Sequence, residues 1–352
     1  MKHFKLRTDL KIEVGEKTLY RIEAAKDIKK FGVKAGDLGG YVEKEDNLSD
    51  IAWVSGDARV YDDARVSGEA RVYGKARVYG SAKVFGKAKV CGEARVYGEV
   101  WVSGKARVSE HACVYDNSRV YGDANVCGDA EVYNNAHVYD NAFVSEHACV
   151  FGNAHVYDNA CVLNNAFVFG NACVFCEANV SGNTLVCGKA LVYGNSKVFG
   201  DVKVSGKAVV CGNSRIYDKA RMGGNTRVYG EARVFGNARL YNYVRVYGEA
   251  RVGGDTLVCG NVRVCGNAEL FDDTIEKEND LINITSNVGS YNITITPKHI
   301  KIGCQHHSKT AWFNFTDNEI MKMDGETAVV WWKTWKPILK QICDSFASKN
   351  EE

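Results

Sequence analysis

The chain has 352 residues, 45 basic and 43 acidic, and its formal charge of +2 gives no net-charge case for a strongly polyanionic partner. It shows no apolar run long enough to span a membrane and no secretory leader, so a cytoplasmic protein with no membrane partner is expected. Thirteen cysteines would suggest disulfides in a small secreted chain, but eleven lie in a repeat, mostly in outward positions that elsewhere hold Tyr or Arg, and so read as surface filler in a reducing compartment.

Residues 1–51 read as an N-terminal β cap. Phe4 to Val14 alternates loosely and Thr18 to Ile22 follows, which predicts two short strands. The glycine-rich stretch from Gly32 to Tyr41 then bends the chain into the repeat. Its A-G-D-L-G-G lacks the Lys-Ser/Thr of a phosphate-binding loop and precedes no evident helix, so it reads as a structural turn.

From 52 to 273 the chain is one six-residue unit, V-Y-G-E-A-R, repeated as 37 hexads without insertion. Val stands at 54 and every sixth residue to 264, replaced by Ile216, Met222 and Leu240 and closed by Leu270. A small residue, usually Ala, stands two places earlier, so both point to the same side of a short strand. The Gly, Asp or Asn that follows supplies a corner tolerant of positive φ. Neighbouring strands that all need the same inward face cannot form hairpins, but they can coil. Three hexads closing a triangle predict an all-β solenoid of about 12 coils with parallel ladders, stabilised by stacking between coils.

The outward position before each Val is basic from Arg59 to Arg107, except Trp101, and basic again from Lys197 to Arg263, except Val209 and Leu257. Alternating Arg and Tyr could track a nucleic acid. Acidic corner residues and a basic slot repeated on all three faces argue instead for a solvated Arg ladder, so nucleic acid is the lesser reading. Between Cys113 and Leu191 the slot turns mixed. Phe143, Phe167, Leu185 and Leu191 expose apolar groups, which predicts a contact surface for another copy of the chain, a host protein or a small ligand.

The same zone contains S-E-H-A-C-V twice, at Ser109 to Val114 and Ser145 to Val150, two coils apart. An 18-residue coil would stack His111, Asp129 and His147 in one column beside Cys113, Glu131 and Cys149, all metal-ligand residue types. His137 and His155 fall one coil apart on another column and are further ligand candidates. No motif selects a catalytic residue, and no cofactor is expected.

The unbroken hexads resemble the hexapeptide-repeat superfamily of left-handed parallel β-helices, and the handedness expected here rests on that resemblance. Two segments, G-V-K-A-G-D-L-G-G-Y-V-E-K-E-D-N-L-S at 32–49 and N-V-G-S-Y-N-I-T-I-T at 287–296, are similar to uncharacterised β-helix proteins of phages and prophages. The wider superfamily implies acetyl-CoA-dependent acyl transfer, with a His as base on the acceptor. This repeat departs from that pattern: Gly comes one position later after the aliphatic residue, and no loop is extruded. The expectation is therefore a binding or scaffold protein, homo-oligomeric, with acyl transfer as the alternative and His111, His137, His147 or His155 as the possible base.

Residues 274–352 change composition and read as a small α+β domain. Leu281 to Ser286, Tyr291 to Thr296 and His299 to Gly303 predict strands, with turns at Gly289-Ser290 and Pro297-Lys298. Asp317 to Met323 predicts a short helix. Trp331, Trp335, Ile338, Ile342 and Phe346 follow helical spacing, with a kink or fresh start at Pro337. Trp331, Trp332 and Trp335 are the candidate recognition residues, and Cys304, His306, His307 and Cys343 a weaker ligand set.

Overall fold

The computed structural model describes residues 2–284 and 291–348, with side chains to Ser345. The expected Gly289-Ser290 turn, the first residues of the 287–296 motif and the Phe346 side chain lie outside that description. By its internal contacts the chain divides into two units, Met1–Gly200 and Asp201–Glu352.

In the first unit Phe4–Val14 and Lys17–Ala24 form an antiparallel hairpin, turned at Gly15 with φ +60°. Leu38–Val42 lies antiparallel to the second strand and parallel to Arg59–Val60, with Val42 opposite Val60. One strand thus converts a hairpin sheet into a coil. Thereafter each hexad contributes a two-residue strand, and within this unit the strands pair in parallel with those 18 residues on. Arg95, Cys113, Glu131, Cys149, Phe167 and Leu185, for example, follow one another along a single ladder.

The physical cause is the alternation. Ala and Val side chains face inward and are fully buried at hexad after hexad, while the residue between them faces out. Their backbone groups are satisfied by the next coil, as in Cys113 N–H to Ala130 O at 2.9 Å and Tyr115 N–H to Val132 O at 3.0 Å. The corners need the left-handed region. In one corner column Gly122, Asp140, Asp158 and Cys176 stand above one another with φ between +56° and +71°. The close stacking of corners leaves little room, since a Cβ on Gly122 would meet the Asp140 backbone N at 2.7 Å.

The outward positions also form ladders. Tyr61, Tyr79, Tyr97, Tyr115, Tyr133, Phe151 and Phe169 stack ring on ring at 4.8–5.1 Å. Asn135, Asn153 and Asn171 hydrogen-bond amide to amide at 3.2 and 3.3 Å.

The second unit continues with the same hexads until the coil closes one residue short: Leu257–Val258 pairs with Thr274–Ile275 rather than with the residues 18 on. The coils make about 13 turns, not the expected 12 or so, because Tyr41, Val42 and Leu48 already pair as coil residues before Ala52 and Ile275 still does so after Asp273. The chain then forms an antiparallel sheet of Ile282–Ile284, Ile293–Ile295, His299–Ile302 and Gln305–Ser308. The last of these strands was not expected.

Helix α1, Lys309–Asn314, is also additional. Helix α2 has two segments: residues 317–323 are helical as expected, and after a break at Asp324 and Gly325 a second segment runs to Ser348 with Pro337 inside it. Gly325 takes φ +73°, which ends the first segment for a residue without a Cβ. The buried stripe of α2 is Ala328, Trp332, Leu339 and Cys343, packed on Ile300, Ile302 and Trp312. That is one position along from the expected Trp331, Trp335, Ile338 and Ile342, and Ile338 is exposed. Among the described residues no helix is long and apolar enough to cross a membrane.

Candidate functional site

Parallel register decides which of the singled-out outward residues meet. Cys113, Glu131 and Cys149 are successive rungs of one ladder. Tyr115 Oη donates to Glu131 Oε2 at 3.1 Å, and each thiol turns to a carbonyl two residues back, Cys113 to His111 O at 3.6 Å and Cys149 to His147 O at 3.7 Å. Burial pushes both thiols up, and the Glu131 carboxylate adds to the effect.

The neighbouring His111, Asp129 and His147 resolve into separate pairs. His147 Nδ1 faces Asp129 Oδ2 at 3.7 Å, whereas His111 Nδ1 faces Glu93 Oε2, one coil earlier, at 3.7 Å. Both imidazoles are well exposed.

His137 and His155 do adjoin, with ring centroids 4.8 Å apart, set edge-on to Tyr121 and Tyr139. Burial lowers the pKa of each. The four apolar residues divide among the ladders. Phe167 pairs with Leu185, Phe143 with Cys161, and Leu191 with Cys173. Of the four, only Phe167 and Leu185 meet as neighbouring rungs.

In the second unit Trp332 is 2% exposed and belongs to the core beneath the small sheet. Trp331 stacks on Trp335 at 5.5 Å and makes a T-shaped contact with Tyr291 at 5.0 Å. Tyr291, Ile302, Trp312, Met323, Trp331 and Trp332 line an apolar crevice, and the buried indole N–H groups of Trp331 and Trp332 find no acceptor there.

A further cluster in this unit joins residues that had not been considered together. The one-residue shortening of the last coil brings Asp273 into the inward position that Thr256 occupies one coil earlier, since Leu257 N–H bonds to Asp273 O as Arg239 N–H bonds to Thr256 O, both at 2.8 Å. Elsewhere that position holds Ala, Val, Ser or Thr. Asp273 is 2% exposed and is the only buried carboxylate among the described residues.

Two imidazoles approach it from the antiparallel hairpin. Lys301 and His306 are directly opposed, and facing residues share one side of the sheet, so His299, Lys301 and His306 project together. Ile300 and Ile302 project the other way, into the core with Trp312. His299 Nδ1 lies 2.9 Å from Asp273 Oδ1, which also accepts from the Thr296 hydroxyl at 2.8 Å. The His306 ring lies 4.8 Å from that of His299. One ligand atom each from Asp273, His299 and His306 fall within 4.8 Å of one another. Asp273 Oδ2 is buried and has no partner. Burial and the neighbouring His299 lower the His306 pKa, which keeps that imidazole neutral and its lone pair available.

His306 was legible as a ligand type, within C-Q-H-H, but its partners were not. The signal lay in the register: dropping one residue from the final coil places a carboxylate in an inward slot, an expensive placement unless it serves another group.

Comparison with known proteins gives a narrow result. No curated protein matches the chain. Among solved structures, a UDP-N-acetylglucosamine O-acyltransferase (LpxA) from Moraxella catarrhalis RH4 is similar over 54% of this chain and 71% of its own, with 13% identity and a TM-score of 0.25. A family model described as the YdcK beta solenoid repeat matches residues 52–68, within the first hexads of the coil.

Proposed function

We propose that this chain is a non-enzymatic binding or scaffold protein, of the kind carried by phages and prophages, that works in the cytoplasm as a homo-oligomer. The observation that carries the reading is the uninterrupted parallel pairing of two-residue strands within each unit. Outward side chains therefore stand at fixed pitch, and no loop leaves the coil to enclose an acceptor substrate. The Phe167 and Leu185 rungs are the self-association surface, because an exposed Phe167 beside a half-buried Leu185 on a ladder of one pitch suits an identical ladder. The apolar crevice lined by Tyr291, Met323 and Trp331 is where a protein or small-ligand partner would be read.

Native mass spectrometry tests this reading against acyl transfer. A multimer that Phe167→Glu with Leu185→Glu dissociates, with no loss of acetyl-CoA on incubation with amine and hydroxyl acceptors, is the expected result. Acetyl-CoA turnover by the purified chain would overturn it, and a monomer would remove the self-association.

A further inference from the structure

We propose that Asp273, His299 and His306 form a binding site for one divalent transition-metal ion, which clips the C-terminal hairpin to the last coil of the second unit. The argument starts from Asp273. A carboxylate in an inward slot loses its hydration, and leaving one oxygen without a hydrogen bond adds the desolvation penalty of an unpaired polar atom. Its other oxygen is already fixed by the Thr296 hydroxyl and His299. A cation bound at the open Oδ2 removes the penalty, and the two imidazoles complete a three-ligand set of nitrogen and oxygen atoms.

The geometry fits such an ion. Metal–ligand bonds of about 2.0–2.2 Å place adjacent ligand atoms about 3.3 Å apart in a tetrahedral site. One ligand atom from each of the three residues lies within 4.8 Å of the others, so small rotations of the rings reach that arrangement while His299 Nδ1 keeps its hydrogen bond to Asp273 Oδ1 and offers Nε2 to the ion. Two imidazoles and one carboxylate select a zinc, iron, cobalt or nickel class ion over calcium or magnesium, which take oxygen ligands. The His299 side chain is 24% accessible, which leaves a fourth position for water. Lys301 is held away by its ion pair with Glu269 and its seat over the Phe271 ring, 5.1 Å from the centroid, so its charge does not occupy the site.

The thirteen cysteines would confuse a zinc titration, so the probe is Co²⁺ added to the reduced, metal-free full chain. One Co²⁺ per chain with the comparatively intense visible d–d bands of a tetrahedral site, no near-ultraviolet thiolate-to-cobalt band and a higher melting temperature is the expected result. His306→Ala and Asp273→Asn should each weaken binding by about tenfold or more, whereas Cys304→Ser leaves it intact. If His306→Ala fails to fold, His306→Gln tests the same ligand with the side chain's bulk retained. Absence of stoichiometric Co²⁺ binding, a strong thiolate band, or binding indifferent to His306 would each overturn the site.

Discussion

The coiled hexads and the chain end handle the same residue types in opposite ways. Along the hexads each outward residue stands one rung from the residue 18 positions away, whatever its type, so contacts are made two by two: His147 with Asp129, His111 with Glu93, His137 with His155. After the coil closes one residue short, the chain reverses direction, and an inward Asp273 meets two imidazoles from facing strands. A translational repeat builds lines. Convergence on one point needs the repeat to be broken.

The comparison can be broken most directly at Trp332. Its removal from the end core should cost about 3–5 kcal/mol. Trp332→Ala is expected to release the small sheet and helix α2, seen as lost near-ultraviolet signal and early proteolysis near α2, while the β signal of the coils persists. Simultaneous loss of the coil signal would mean that the two regions fold as one. Leu240, fully buried among the inward Val residues, supplies the converse. Leu240→Ala should cost about 2–5 kcal/mol and lower the coil's chemical-denaturation midpoint without changing the fluorescence of the end.

Smaller effects sharpen the picture of the corners. Gly122→Val puts a branched side chain at positive φ against the Asp140 backbone, and a left-handed residue alone costs about 1–2 kcal/mol. Gly122→Asn should cost less, because Asp140 and Asp158 hold the same conformation one and two coils on. Equal destabilisation of the two variants in thermal melts would contradict this.

Acidification acts on the paired histidines. His137 and His155 have pKa values lowered from 6.5 by burial, so the unfolded chain takes up protons first. Their neutral, stacked form is favoured above about pH 6.5, and stability is lost as the pH falls below that value. His137→Asn with His155→Asn should flatten the fall in melting temperature on acidification; an unchanged slope would place its origin elsewhere. The smallest effect is at Lys75 and Glu93, an exposed pair one coil apart, where salt should leave the melting temperature unmoved.

The coil was legible because each hexad states it independently: Ala and Val on one side, a basic or aromatic residue on the other, and a corner that accepts positive φ. The pairing of Phe167 with Leu185 and of His137 with His155 follows from adding 18. The end was only partly legible. Ile293, Ile295, Ile300 and Ile302 alternate plainly, but Gln305–Ser308 has no apolar alternation and forms a strand because the hairpin at Gly303 carries it back along His299–Ile302. The fully buried stripe lies one position later because Trp332 packs on Trp312, while Trp331, Trp335 and Ile342 are only partly buried against the same core. Asp273, His299 and His306 have no diagnostic spacing, since they are joined by a register change and a strand reversal.

The backbone hydrogen bonds of the first unit run from coil to coil, so a force applied to the chain within it loads them one at a time, like a zipper and not like a shear joint. Stretched from its ends, this stretch should lengthen in steps of about 60 Å, the extended length of the 18 residues in each released coil. Evenly spaced force peaks would count its coils mechanically.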